Sequence, residues 1–316
     1  MHYGNWWTVA LSESVNDKTP LAVVCDGEEI VLFRGSGGEA CALEDRCPHR
    51  RVPLALGTVK PGGLQCGYHG WTFDGATGAC TAIPNLHADE RVPPRYAARA
   101  YSVAEGQGFV HVWIGAGAPS DELPSAAYLA EGREFTGTAI ANIAYDEYLA
   151  VMLDGPQCLL AFEGVRITDF FLGDTRTEDG RMVLDRGAVW KARMLPPAFV
   201  TDHPLIVRTT LPLAGGGIRV ELLTADEESV VTVYIGASAN LRGTTSLCWR
   251  GYLHPRRVQA APLRWSAARV AGRPPFRVAD AIDGAAIAAL LVAPSRELVA
   301  ARAAYVPASL PEQRQA

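Results

Sequence analysis

Cys47-Pro48-His49-Arg50 and Cys66-Gly67-Tyr68-His69-Gly70-Trp71 decide how this chain is read. Each stretch offers one thiolate and one imidazole: Cys47 with His49, and Cys66 with His69. Two thiolates on one iron and two imidazoles on the other form the donor set of a mixed-ligand [2Fe–2S] centre. Zinc is the competing reading of any Cys/His quartet. Zinc fingers, however, pair their ligands as Cys-x-x-Cys and His-x-x-x-His, whereas each stretch here carries one of each. Gly62-Gly63, Gly67 and Gly70 suit tight loops whose backbone N–H groups point at sulfur. Cys47, His49, Cys66 and His69 are therefore the candidate cluster ligands.

The 316 residues leave room for one large or two moderate domains, and 48% hydrophobic with 20% charged residues is a globular balance with a real core. A net charge of −5 with no basic run speaks against nucleic acid as a partner. The opening Met1-His2-Tyr3-Gly4-Asn5-Trp6-Trp7 is not a signal-peptide pattern, and no apolar stretch is long enough to span a bilayer. The expectation is a soluble, cytoplasmic protein without a membrane partner. In a reducing compartment Cys25, Cys41, Cys80, Cys158 and Cys248 read as apolar thiols rather than bridges.

Short β-rich runs at 6–10, 20–25, 29–34 and 39–44 are separated by Asp-Gly and Gly-rich turns, and Phe109–Ile114 reads as a further strand. His111 lies among apolar neighbours without a partner cysteine and reads as a core histidine. Gly115–Pro124 has linker composition. Beyond it come a strand at 135–144 and a helix from Asp146 to Leu160 interrupted at Gly155-Pro156. Strand-like runs follow at 182–194, 205–211, 217–224, 229–236 and 245–253, then a helical stretch from Val278 to Val292. Gly35–Gly38 and Gly215–Gly217 lack the strand-turn-helix setting of a phosphate site and read as hairpin turns.

Trp6-Trp7, Asp45 to Arg50, Cys66 to Trp71 and Ile83-Pro84 together resemble the N-terminal domain of Rieske non-haem iron oxygenases. The likeness is to the short oxygenase subunits that include O- and N-demethylases, strong over about the first 115 residues and only in outline beyond. It implies an α+β protein. Residues 1–115 would form an all-β Rieske [2Fe–2S] domain and 125–306 a helix-grip (START-like) antiparallel-sheet domain, with 307–316 a polar tail. High-potential Rieske proteins add a bridged cysteine to each loop; Val52 and Tyr68 stand in those places here. Trp71 stands where those proteins carry a hydroxyl donor, so the resemblance implies a potential near the low end, about −150 mV.

The same resemblance implies a second metal, a mononuclear Fe(II) held by two histidines and a carboxylate. Its histidines come from Asp-x-x-His-x-x-x-x-His on the first helix of the second domain. Ala150–Phe162 occupies that place: Asp154 matches the aspartate, but Gln157 and Phe162 fill the histidine positions. Asp280 matches the carboxylate, with Asp283 as the second candidate. After the linker only His203 and His254 remain, neither near that helix. The expectation is that no catalytic mononuclear iron is bound. Asp154 carries two readings: a turn or cap residue before Gly-Pro, or the family's bridge between the cluster of one subunit and the iron of the next.

Three functions compete. In the first, the chain passes single electrons to a homologous catalytic oxygenase, or completes its trimer-based, head-to-tail ring. In the second, it is a complete monooxygenase or demethylase of a small organic substrate with a divergent iron site. In the third, it is a redox-active binding protein without turnover. No flavin or nicotinamide fingerprint is present, so a separate reductase or ferredoxin must supply electrons.

Overall fold

The structure is a computed structural model describing residues 4–87, 90–121, 123–124, 132–190, 204–254, 274–279, 281–290 and 294–305. The chain divides into two units, Met1–Ala126 with Ser238–Arg242, and Ala127–Ala237 with Gly243–Ala316.

The first unit is built from small antiparallel sheets. Glu28–Arg34 pairs on one side with Leu21–Cys25 and on the other with Ala40–Glu44, which Ala100–Tyr101 extends. Ile30, Val31, Leu32 and Phe33 are all fully buried, so this strand reads as a continuous apolar run rather than an alternation. Asp26-Gly27 closes the first hairpin with φ of 50° and 80°. Two consecutive positive φ angles are what a right-twisted two-residue hairpin needs, and Asp-Gly supplies them at least cost. Gln107-Gly108 does the same, with φ of 56° and 77°, between Val103–Gly106 and Phe109–Ile114. Asn5–Leu11 pairs with that last strand. A third sheet joins Thr58–Lys60, Gly63–Gln65, Thr72–Phe73 and Cys80–Ala82, and the Cys66–Trp71 loop connects two of its strands.

His111 is the buried core histidine expected. It pairs across the strands with Thr8, whose hydroxyl lies 3.0 Å from its Nδ1. Burial pushes its pKa down from 6.5 to about 4. The unfolded chain therefore takes up a proton as pH falls below about 6.5, while the folded one resists until about 4. Stability falls across that window, by about 3 kcal/mol at most. Urea unfolding at pH 7 and pH 5 should show the drop, and His111→Leu should flatten it. An unchanged pH dependence in that variant would assign the acid sensitivity to other groups.

The second unit centres on an eight-stranded sheet. Its strands run in the order Arg133–Ala141, Thr245–Leu253, Ser229–Ala239, Gly217–Thr224, Pro204–Pro212, Arg181–Trp190, Val165–Leu172, with Arg176–Glu178 also on Arg181–Trp190. Arg133–Ala141 pairs antiparallel with Thr245–Leu253, and pairing is antiparallel along the run from Ser229–Ala239 to Val165–Leu172. Ile218, Val220 and Leu222 lie opposite Ile235, Val233 and Val231, making one face apolar. The other face carries charge pairs such as Arg208 with Asp185 (2.7 Å) and Arg219 with Glu221 (2.6 Å). Gly137 lies opposite Trp249 and Gly251 opposite Phe135, each glycine leaving the space its partner's ring fills.

Helix α1, Tyr145–Asp154, buries Tyr148, Leu149 and Met152. The expectation of a helix to Leu160 is corrected here. Gly155 accommodates the Leu290 side chain where a Cβ would lie 2.5 Å from its nearest carbon, and Pro156 cannot continue the ladder. A short 3-10 turn, Pro156–Cys158, leads instead into the strand Leu160–Phe162, paired with Phe276–Val278. The late helix is also corrected. Val278 is in a strand, and Asp283 caps the five-residue helix α2, Gly284–Ala288, by accepting the Ala285 N–H at 2.9 Å. A further helix, α3, runs over Pro294–Ala304. The tail at 307–316 lies outside the described residues. Among the described residues no helix is long and apolar enough to cross a membrane.

Candidate metal centre

The two ligand stretches fold into the same loop. In the first, Cys47 N–H donates to Val52 O (2.9 Å) and Arg51 N–H to Cys47 O (2.8 Å). In the second, Cys66 N–H donates to Trp71 O (2.8 Å) and Gly70 N–H to Cys66 O (3.1 Å). Each turns back through a residue of positive φ at the same position, Arg51 at 58° and Gly70 at 70°. At Gly70 a side chain would also meet Pro84, 2.9 Å from the Cβ position. Sequence reasoning missed Asp45 as a brace of the first loop: its carboxylate accepts the Ala55 N–H at 2.6 Å. The acidic residue just before Arg46-Cys47 was the available signal.

The loops bring the four candidates together as two pairs. Cys47 and Cys66 are 2% and 3% exposed, in an apolar cluster with Leu54, Leu64, Phe73 and Trp71. Burial raises the Cys47 thiol, the His49 and Arg50 backbone N–H groups pull it down, and neighbouring Cys66 raises it again. His49 and His69 lie outside the thiols, half-buried and exposed respectively, with ring centroids 4.8 Å apart. Desolvation, then His69 and Arg50, hold the His49 pKa below its ordinary value. No three His, Cys, Asp or Glu among the described residues gather as around a single ion. A thiol pair and an imidazole pair fit a two-iron cluster, in which each iron takes two protein ligands. The iron charge would hold both sulfurs as thiolates, against the burial that raises the Cys47 thiol.

Comparison with known proteins bears on the same residues. Residues 5–101 match the Rieske [2Fe-2S] domain family. The putative toluene-4-sulfonate monooxygenase system iron-sulfur subunit of Comamonas testosteroni is 42% identical over 111 residues, 35% of this chain and 31% of that protein. The vanillate O-demethylase oxygenase subunit of a Pseudomonas sp. is 39% identical over 110 residues, 35% of this chain and 29% of that protein. Residues 5–101 are a Rieske [2Fe-2S] domain. The matching stretch spans about a third or less of those relatives' lengths. Beyond it the likeness is one of fold. The structure of dicamba monooxygenase bound to dicamba superposes with a TM-score of 0.63 at 18% identity, over 95% of this chain and 97% of that one.

The second set of candidates is dispersed. Gln157 is exposed on the 3-10 turn after α1. Phe162 is 3% exposed on a strand, its ring 5.6 Å from that of Phe276, which in turn lies 6.0 Å from Trp249 and 6.3 Å from Phe135. Asp283 is the α2 cap. His254 follows the strand Thr245–Leu253, its Nε2 3.3 Å from the Thr232 hydroxyl. Asp280 and His203 lie outside the described residues. The described members of this set do not fit a mononuclear iron: Gln157 is exposed, Phe162 is an aromatic core residue, Asp283 is a helix cap, and His254 is not gathered with two further His, Cys, Asp or Glu ligands.

Asp154 joins two helices. Its side chain is buried and accepts the Ser295 N–H at 3.0 Å in the first turn of α3. Its own carbonyl and that of Leu153, at the end of α1, accept from Arg186 Nη2 at 2.9 and 2.8 Å. A carboxylate at one helix start and a guanidinium at another helix end both match the helix dipoles. Asp154→Ala leaves a buried N–H unpaired and should cost about 1–2 kcal/mol. Asp154→Asn keeps the acceptor and should recover most of it. Equal losses in denaturant midpoint for the two variants would show that charge, not the hydrogen bond, holds this joint.

Proposed function

We propose that this chain is the electron-carrying member of a Rieske oxygenase assembly, passing single electrons to a homologous catalytic subunit, or completing its ring, with its own oxygen-activating iron lost. The observation that carries the proposal is Phe162, buried against Phe276 at a position where the family resemblance implies an iron-binding histidine. The cluster, when bound, supplies one electron at a time. Cys47 and Cys66 would anchor it from inside the domain and exclude water from the sulfurs. His49 and His69 would hold its outer iron and turn their second ring nitrogens toward a docking partner.

The named relatives include subunits of multi-component systems, which supports a separate reductase or ferredoxin and an oligomeric partner for this chain. A head-to-tail ring is the arrangement that brings one subunit's cluster to the next subunit's iron. Asp154 would serve that junction in addition to its helix joint. The second unit offers a fold in which a small organic ligand could be held, and the proposed setting is the cytoplasm.

A complete monooxygenase is the second reading, favoured by the likeness to dicamba monooxygenase over nearly the whole chain. Iron and acid-labile sulfide counts separate the two. The proposal expects two irons per two sulfides in each chain. Three irons per two sulfides, with one iron lost on Asp280→Ala, would restore the complete enzyme.

A further inference from the structure

The two candidate histidines are braced differently. The His49 imidazole lies flat on the Trp71 indole, with centroids 4.5 Å apart and planes 4° from parallel. Trp71 is 9% exposed and belongs to the opposite loop, pinned there by the bond from Cys66 N–H to its carbonyl. Its indole is held in turn by Tyr96, edge-on at 5.0 Å and 67°. His69 has a different neighbour. Tyr68, adjacent in sequence, lies 3.8 Å from it at 38° and is 61% exposed.

An imidazole bound to a metal through one nitrogen can still turn about that bond, so its plane is set by what packs on its faces. Stacked aromatic rings resist such turning, because the contact is lost as the planes part. A buried indole braced by a second ring is a rigid stop, whereas an exposed tyrosine is a mobile one. We infer that Trp71, backed by Tyr96, is a positioning residue that fixes the ring plane of His49 on the cluster, and that the two histidines are therefore inequivalent. The stack also ties the first ligand loop to the second, whose Trp71 orients the first loop's His49.

The test is nitrogen hyperfine spectroscopy on the reduced, cluster-loaded full chain. The wild type should show two distinct histidine nitrogen couplings. Trp71→Leu should shift and broaden one of them, the His49 coupling, and leave the other in place. Trp71→Phe, which keeps a stacking ring, should restore a narrow coupling. Tyr68→Leu should leave the His49 coupling unchanged. If Trp71→Leu fails to hold a cluster, Tyr96→Leu decides: it removes the brace but leaves the indole, and should broaden the His49 coupling alone. Wild-type couplings in Trp71→Leu, or in Tyr96→Leu should that variant have to decide, would overturn the inference. So would equal broadening of both histidine couplings.

Discussion

His69→Ala or His49→Ala should leave protein with less than about a tenth of the wild-type cluster, since even outer-shell changes at metal sites cost about tenfold or more. What remains should have lost the low average g-value of a centre with nitrogen on one iron. The expectation follows from the division of the site. The thiols lie inside the apolar cluster and the imidazoles outside it, so an iron whose imidazole is removed faces water on that side. Cys47→Ser and Cys66→Ser should abolish assembly outright, because a buried hydroxyl cannot replace a thiolate. Iron content, visible absorption and the spectrum of the reduced protein read all four variants. An all-cysteine ferredoxin spectrum in the wild type, or bound zinc without iron, would contradict the ligand assignment.

The first unit was legible because its signals are local. Asp26-Gly27 and Gln107-Gly108 mark hairpins within a few residues, and the spacing of Cys47, His49, Cys66 and His69 carries the chemistry. The stacking of Trp71 on His49 was not legible, because it depends on how two loops apart in sequence meet. In the second unit, helical spacing between Val278 and Leu290 suggested one long helix. Val278 instead pairs with Leu160, and Asp283 starts a shorter helix only after that strand has ended. Leu160, which opens the strand to Phe162, was absorbed into the preceding helix for the same reason. Short apolar runs do not distinguish helix from strand, and a partner distant in sequence decides. The break at Gly155-Pro156 was visible, but the role of Leu290 in requiring that glycine was not.

Asp154 shows how far a motif can carry. Its place in the chain suggested both a cap and a bridge, and the structure gives it a definite partner in Ser295. Phe162 is the more telling position. A histidine there would take the place of one ring in a cluster with Phe135, Trp249 and Phe276. Burying an imidazole among them with neither a metal nor a hydrogen-bond partner would be costly, which supports the reading of Phe162 as a packing residue.

The second large effect concerns turnover, and it bears on the central claim. On the proposed loss of its own oxygen-activating iron, this chain alone should form no oxygenated product, however well its cluster is reduced. Mixed with a homologous subunit that carries both iron-binding histidines, it should support turnover that falls when its own His49 or His69 is replaced, because the electrons then have no route through it. The decisive measurement is product formed by the purified chain alone, supplied with a reductase and oxygen, beside the same assay with the homologue present. The account predicts background product from the chain alone and turnover only in the mixture. Sustained turnover by this chain alone, abolished by Asp280→Ala, would contradict it.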